Sequence, residues 1–196
     1  MVPVLILAAG ESRRMRGSDK LLQEVYSMPL LRRQVLMAQA VGQPVFVALP
    51  ACDHPRAATI SDLNVTILAV PESTQGMSAT MRGAVAQLPD TKAFMILLAD
   101  LVAITSADLH MVLDAQHRHP EHLIWRGATT DGKPGHPIIF DAALRPDFAT
   151  LTGDQGGEPI VRAHLAETCL VPLPDQSARL DLDTPEDWAA WRKTTL

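Results

Sequence analysis

Cysteine is scarce in this chain: Cys52 and Cys169 stand far apart and outside any CxxC spacing. That excludes a disulfide-stapled scaffold and fits a reduced, cytoplasmic setting. Long apolar runs are missing as well, and none approaches the roughly 20 residues that a membrane-spanning helix requires. The N-terminus places its apolar stretch ahead of its charges, the reverse of a secretory leader, so a cytoplasmic protein without a membrane partner is expected. There is no basic surplus either. With 17 Lys and Arg against 22 Asp and Glu the net charge is -5, which argues against broad nucleic-acid binding. Internal repeats, low-complexity tracts and linkers are also lacking, so residues 1–196 are expected to form one domain around one sizeable core.

Several catalytic signatures are missing in the same way. No Ser or Cys sits in a recognisable hydrolase motif, and no spacing suits a zinc site. Lys20 is followed by Leu21 where a P-loop requires Ser or Thr. Gly10 lacks the companion glycines of a dinucleotide fingerprint, which disfavours an oxidoreductase.

What is present is a regular alternation of short β-branched runs and longer helical patterns. Residues 2–7, 45–49, 65–70 and 94–98 are apolar on both faces, as suits parallel strands covered by helices on either side. Helical periodicity covers residues 29–41, 77–88 and 106–117, with Pro29 near a helix start and Ser106 read as an N-cap ahead of Asp108. Repeated βα units of this kind specify a doubly wound α/β sheet. After about His119 the texture changes. "WRGATTDGKPGHPIIFD" suits a β-hairpin, or a loop followed by a strand. A last strand at 168–172 precedes Thr184, a cap, and Pro185, the first residue of a final helix.

Residues able to do chemistry collect at the ends of these elements. "VPVLILAAGESRRMRGSDKLL" sets Arg13, Arg14, Arg16 and Lys20 against only Glu11 and Asp19. The small residues Ala8, Ala9 and Gly10 let a ligand approach main-chain N–H groups, and the cations suit phosphate. The competing reading is a solvated basic loop. Asp100 ends "FMILLAD", where open α/β sheets bind ligands, and a carboxylate there suits Mg²⁺ held jointly with substrate phosphates. On its own it could equally cap the following turn. "RLDLDTPED" adds Asp181 and Asp183, which strand alternation puts on one face. In "PESTQGMSATMRGAV", Gly76 permits an unusual turn, Ser78 or Thr80 can cap the helix or bond a ligand, and Arg82 shares the face of Ser78. In "GKPGHPIIF", two glycines and two prolines aim His136, although a lone histidine is more often structural than catalytic.

Together these segments resemble the GT-A-like nucleotidyltransferases, and within them the branch that makes molybdopterin dinucleotide cofactors. "LAAGESRRMRGSDKLL" is similar to that family's LAAGxSxRMGxxKLL signature, and "QGMSATMRGAV" to its GMSxSLRxG segment. "GHPIIF" is similar to GHPVLF, "LTGDQGGEPIV" to GDxGxxxxL and "LDTPEDW" to DIDTPED. The matches stand in order from about Leu5 to Trp188. LAAG with GMS and GHP resembles the cytidylyltransferase members more than the guanylyltransferases, which usually open with LAGG. There are departures. Arg16 before Gly17 adds a residue to the loop, "LADLV" replaces LxDMP, and Glu158 stands where relatives often carry Arg or Ala.

The resemblance implies a three-layer αβα Rossmann-like fold with a mostly parallel central sheet and a small β-hairpin insertion. It implies Mg-dependent transfer of CMP from CTP to a phosphate-bearing acceptor, molybdopterin, with release of pyrophosphate. Leu7, Ala8, Ala9, Gly10, Glu11 and Ser12 would shape the nucleotide pocket with Gly76, Ser78 and Arg82, while Arg14 and Lys20 bind phosphate. Asp100 would hold the metal with Asp183, or with Asp181, and Gly135, His136, Gly153 and Asp154 would line the acceptor side. Arg13 is left as a surface residue. Such an acceptor is ionised near pH 7, which fits the lack of a His–Asp dyad. Two other readings stay open: another small-phosphate nucleotidyltransferase, such as one acting on sugar phosphates, and a non-catalytic cofactor-binding protein, for which "LADLV" is the best support. A molybdoenzyme or maturation-factor partner is implied too, with the chain a monomer or small homo-oligomer.

Overall fold

The computed structural model describes residues 1–195, so Leu196, the last residue of the expected domain, lies outside the described residues. The chain runs β1 (Val4–Leu7), a loop with two short 3₁₀ turns, β2 (Glu24–Val25), β3 (Met28–Pro29), α1 (Leu30–Gln39), β4 (Val45–Leu49), α2 (Pro55–Ala58) and β5 (Thr66–Ala69). It continues through α3 (Met77–Ala86), β6 (Ala93–Leu98), α4 (Ser106–Arg118), β7 (Ile124–Ala128) and β8 (Pro134–Asp141). The last elements are α5 (Arg145–Ala149), α6 (Glu158–Ala163), β9 (Thr168–Pro172) and α7 (Pro185–Thr195).

Among the described residues seven strands form one sheet in the order β5-β4-β1-β6-β8-β7-β9. β5, β4, β1 and β6 are mutually parallel, β8 runs antiparallel to both β6 and β7, and β9 is parallel to β7. The expected doubly wound, mostly parallel α/β sheet is therefore present. Strand alternation divides the interior in two. Val4 and Ile6 face a cluster with Leu30, Leu31 and Val35 of α1, Leu109 and Val112 of α4 and Trp188 of α7. Leu5 and Leu7 face the opposite cluster, with Met81, Ala84 and Val85 of α3, Phe148 of α5 and Ile160 of α6. Each such buried aliphatic side chain contributes about 1.5–3 kcal/mol, which is why a strand apolar on both faces must lie between two helical layers.

Three details differ from the sequence expectation. The residue that caps α4 is Thr105, not Ser106: Thr105 Oγ1 accepts from Asp108 N at 3.3 Å, and Asp108 Oδ2 accepts from Thr105 N at 2.8 Å. This capping box satisfies two otherwise orphaned donors, which Ser106, already inside the helix, cannot do. The hairpin expected after His119 is real, but β7 and β8 are members of the main sheet. A separate antiparallel pair, β2–β3, turns through Tyr26 and Ser27, both at positive φ. Neither residue is one that favours that geometry, so the turn carries no sequence signal.

The arrangement sets the position of the site. From β1 the chain moves outward to β4 and β5, then crosses back to β6 on the other side of β1. The ends of β1 and β6, paired at Leu7 and Leu98, thus flank the switch point of the sheet, where open α/β folds hold ligands. Among the described residues no helix is long and apolar enough to cross a membrane.

Candidate active site

The loop leaving β1 is shaped by polar bonds from behind. Ala8 and Ala9 are buried, and Met15 anchors the first 3₁₀ turn in the core. Arg56, 2% exposed, reaches this loop from α2: Nη1 donates to Ala8 O at 2.5 Å, Nε to Asp19 Oδ2 at 2.7 Å and Nη2 to Asp19 Oδ1 at 2.9 Å. The same Nη2 reaches Ser12 Oγ at 3.3 Å, and Ser12 Oγ accepts from Lys20 N at 3.2 Å. Asp19 also accepts from Leu21 N at 2.9 Å, capping the second 3₁₀ turn. The loop is thereby closed into a ring around one guanidinium. Its main-chain N–H groups at Gly10, Glu11 and Ser12 make no hydrogen bond among the described residues. Clustered free N–H groups form an anion cradle. The extra residue noted above, Arg16, sits in the left-handed region with φ 51, followed by Gly17 at φ 93. Its guanidinium pairs with Glu186 at 2.7 Å on the surface.

The same loop carries its cations onto three carboxylates. Asp100 lies just past β6, Asp181 bridges to Leu101, and Asp183 precedes α7. One ligand atom from each lies within 4.8 Å of the others. Lys20 Nζ donates to Asp100 Oδ2 and, at 2.7 Å, to Asp183 Oδ1, while Arg14 Nη2 lies 2.5 Å from Asp183 Oδ2. Burial pushes the Asp181 carboxyl up, and the charges of Asp183 and Asp100 add to that. Burial acts on Asp183 too, but the Lys20 hydrogen bond, the Lys20 charge and Arg14 outweigh it and hold Asp183 below the usual carboxylate range. Lys20 itself is opposed by burial and ends above its ordinary value because of Asp100 and Asp183. Oδ1 of Asp100 is buried with no hydrogen-bond partner among the described residues. Three converging carboxylates with one orphaned oxygen form a donor set suited to a hard divalent cation.

Two clefts adjoin at Met77 and Asp154, the first of them lined by this loop. The first, about 370 Å³, lies between Leu7, Ala9, Gly10, Glu11 and Arg13 on one side and Ser73–Met77 with Thr80 on the other. Gly76, at φ 110, shapes its far wall, where a Cβ would come 2.6 Å from Asp154 Oδ1. That oxygen accepts from Met77 N at 2.8 Å, so Asp154 caps α3 from another element and shows that close approach is what position 76 requires. The second cleft, about 320 Å³, has apolar walls from Met77, Met81, Leu98, Ile138 and Phe140, with Arg126, His136 and Glu158 as its polar groups. Asp154 borders both. Arg126 donates to Gly135 O at 3.1 Å and to Glu158 Oε2 at 3.2 Å. Burial, with Arg126 alongside, pulls His136 down to about 3, so its imidazole is neutral.

The structure brings together Arg14, Lys20, Asp100 and Asp183, and includes Asp181 as well as Asp183. Leu7, Ala9, Gly10, Glu11, Gly76 and Asp154 line the first cleft. Other expected residues do different work. Ala8 and Ser12 face Arg56, and the Ser78 side chain is turned inward, 1% exposed. Arg82 donates to Leu151 O at 2.7 Å, tying α3 to the loop before α6. Gly135 is pressed against Ala178 O, and Gly153 lies open in its loop at φ 70. Arg13 is exposed, as expected, and stands at the rim of the first cleft beside its partner Glu11, 2.7 Å away. Thr80, expected with Ser78 to cap the helix or bond a ligand, lines the first cleft, whereas Arg56 and Arg126 carried no expectation. Pro55 at the head of a short helix was the only local signal near Arg56.

Residues 4–168 match the family described as the MobA-like NTP transferase domain. The chain belongs to that family. It is a nucleotidyltransferase. Among curated relatives of this MobA-like transferase, a probable molybdenum cofactor guanylyltransferase of Synechococcus elongatus is 29% identical over 95% of both chains. Among solved structures, Rv0371c of Mycobacterium tuberculosis superposes with a TM-score of 0.83 at 23% identity, covering 98% of this chain and 97% of that one. A structure of Rv0371c in complex with manganese gives 0.81 at 21% identity, with 99% of each chain covered. These likenesses place the nucleotidyltransferase fold over nearly the whole of the described chain.

Proposed function

We propose that this MobA-like transferase moves a nucleoside monophosphate from an NTP to the phosphate of a molybdopterin-type acceptor and releases pyrophosphate. The observation that carries the reading is the convergence of Asp100, Asp181 and Asp183 against Arg14 and Lys20, at the mouth of a loop with free N–H groups. Those N–H groups and Arg14 bind and orient the triphosphate, and the first cleft takes base and ribose. The second cleft holds the acceptor, whose ring lies against Met77, Met81 and Phe140 while Arg126 and Glu158 meet its polar edge. An acceptor phosphate oxygen attacks the α-phosphorus in line, and the bond to the β-phosphate oxygen breaks. That nucleophile is already ionised near pH 7, so positioning and charge neutralisation supply the catalysis. The orphaned Asp100 oxygen and its two companions fit Mg²⁺, which when bound would neutralise charge on the phosphates. The manganese complex of Rv0371c supports a divalent ion at such a site.

CTP is the proposed nucleotide, on the strength of the LAAG opening with the GMS and GHP segments. The name of the Synechococcus relative favours GTP instead. Thermal stabilisation by CTP, GTP, UTP and ATP with Mg²⁺ separates the two, because a ligand stabilises according to its binding free energy. CTP is expected to give the largest shift in Tm, and a larger shift with GTP would reassign the base. Asp100→Asn is expected to abolish metal-dependent pyrophosphate release while leaving the circular dichroism spectrum unchanged. Full turnover in that variant would sink the metal assignment.

A further inference from the structure

The position of Lys20 carries a consequence for how the site loads, which rests on the metal reading of the three carboxylates. The main chain of Lys20 is held by Ser12 Oγ, and its side chain is 15% exposed. The ammonium spends hydrogen bonds on one oxygen of Asp100 and one of Asp183. Asp100 Oδ1 stays unpartnered, so the ammonium sits inside the cluster of carboxylates, within 4.8 Å of one another, that a divalent ion would enter. An ammonium seated among these carboxylates opposes a divalent cation entering beside it, because like charges repel strongly at such separations. Arg14, the other cation on Asp183, has 69% of its side chain exposed and is free to move away. Lys20 is enclosed and leaves only for a stronger anionic partner. The partner at hand is a triphosphate gathered by the free N–H groups of Gly10, Glu11 and Ser12 on the same loop.

We propose that Lys20 is a built-in counter-cation that closes the carboxylate trio to free metal and exchanges places with the metal only when a triphosphate takes its ammonium. Metal and nucleotide then load as a coupled pair, and by linkage each raises the affinity for the other by the same factor. Removing the Lys20 charge uncouples them. Three carboxylates without their cation bind metal readily, and nucleotide then adds little.

The test is Mn²⁺ binding to the full chain, read as loss of the free-ion electron paramagnetic resonance signal, with and without saturating α,β-methylene analogues of CTP and GTP. Wild type is expected to bind Mn²⁺ weakly alone and at least about tenfold more tightly with analogue, within the usual range of coupling. Lys20→Met is expected to bind Mn²⁺ alone at least about tenfold more tightly than wild type, with less than about a twofold gain from analogue. Lys20→Gln, which keeps a donor without the charge, reports the same direction if the Met variant does not fold. Equal Mn²⁺ affinity in wild type and both Lys20 variants overturns the proposal, as does an unchanged gain from analogue. Asp100→Asn separates the two levels. If it abolishes Mn²⁺ binding while the Lys20 variants behave as wild type, the metal site stands and only the exchange fails; if it binds Mn²⁺ as wild type does, the metal site itself fails.

Discussion

Arg56 and Asp19 face each other in a two-bond fork, Nε to Oδ2 at 2.7 Å and Nη2 to Oδ1 at 2.9 Å, in the wall behind the loop that leaves β1. The guanidinium is almost wholly buried, and its third nitrogen holds the carbonyl of Ala8. Removing the guanidinium leaves Asp19 partly exposed and still bonded by Leu21 N, but strips Ala8 O of its donor and the loop of its fork, at about 1–3 kcal/mol. Arg56→Met is therefore expected to lower the unfolding free energy by that amount, measured by urea titration. Arg56→Lys, which keeps the charge but loses the fork, should fall between the variant and wild type. A loss below about 1 kcal/mol for Arg56→Met would show that the loop does not depend on the fork.

Gly76→Ala tests the far wall of the first cleft. The new Cβ meets Asp154 Oδ1 at 2.6 Å, and the backbone at φ 110 is strained for any residue with a side chain. Asp154 must swing away, and Met77 N loses its cap. The expected cost is about 1–3 kcal/mol in stability. Because Asp154 borders both clefts, KM for the nucleotide is expected to rise more than kcat falls. Unaltered KM in a folded variant would mean that this wall does not touch substrate.

His136 predicts a pH dependence. Burial beside Arg126 pulls it to about 3, against 6.5 when free. Between those values the unfolded chain takes up a proton that the folded chain refuses, so stability rises with pH across the window and is lost as pH falls from 6.5 toward 3. His136→Gln removes this contribution. The variant should lose less stability than wild type between about pH 7.5 and about pH 4.5, read from urea midpoints at both. Equal losses would place the imidazole in an environment that admits its charge.

The strands were legible because burial on both faces writes itself as unbroken apolar runs, and β4 and β9 fall where the composition puts them. The acid and cation cluster was legible for a different reason. Each charge alone had an ordinary use as a cap or a solvated group, and it was the ordered resemblance of several segments that made Lys20, Asp100 and Asp183 stand out together. Ser78 and Arg82 were equally visible as residues, but which way a helix face turns is decided by its packing, and α3 turns Ser78 into the core. Arg56 left no trace, because the partner that explains its burial, Asp19, lies on another element. Tyr26 and Ser27 show the same limit at short range, since their turn is imposed by strand pairing and not by their own preferences.

Lys20 and Asp183 touch across 163 positions of sequence. The first cleft is lined by residues between Leu7 and Thr80, with Asp154 closing one side. The last carboxylate of the trio thus lies further along the chain than any residue lining that cleft. The trio of carboxylates is complete only when α7 has docked, and the burial of Trp188 in the core makes that docking part of folding itself.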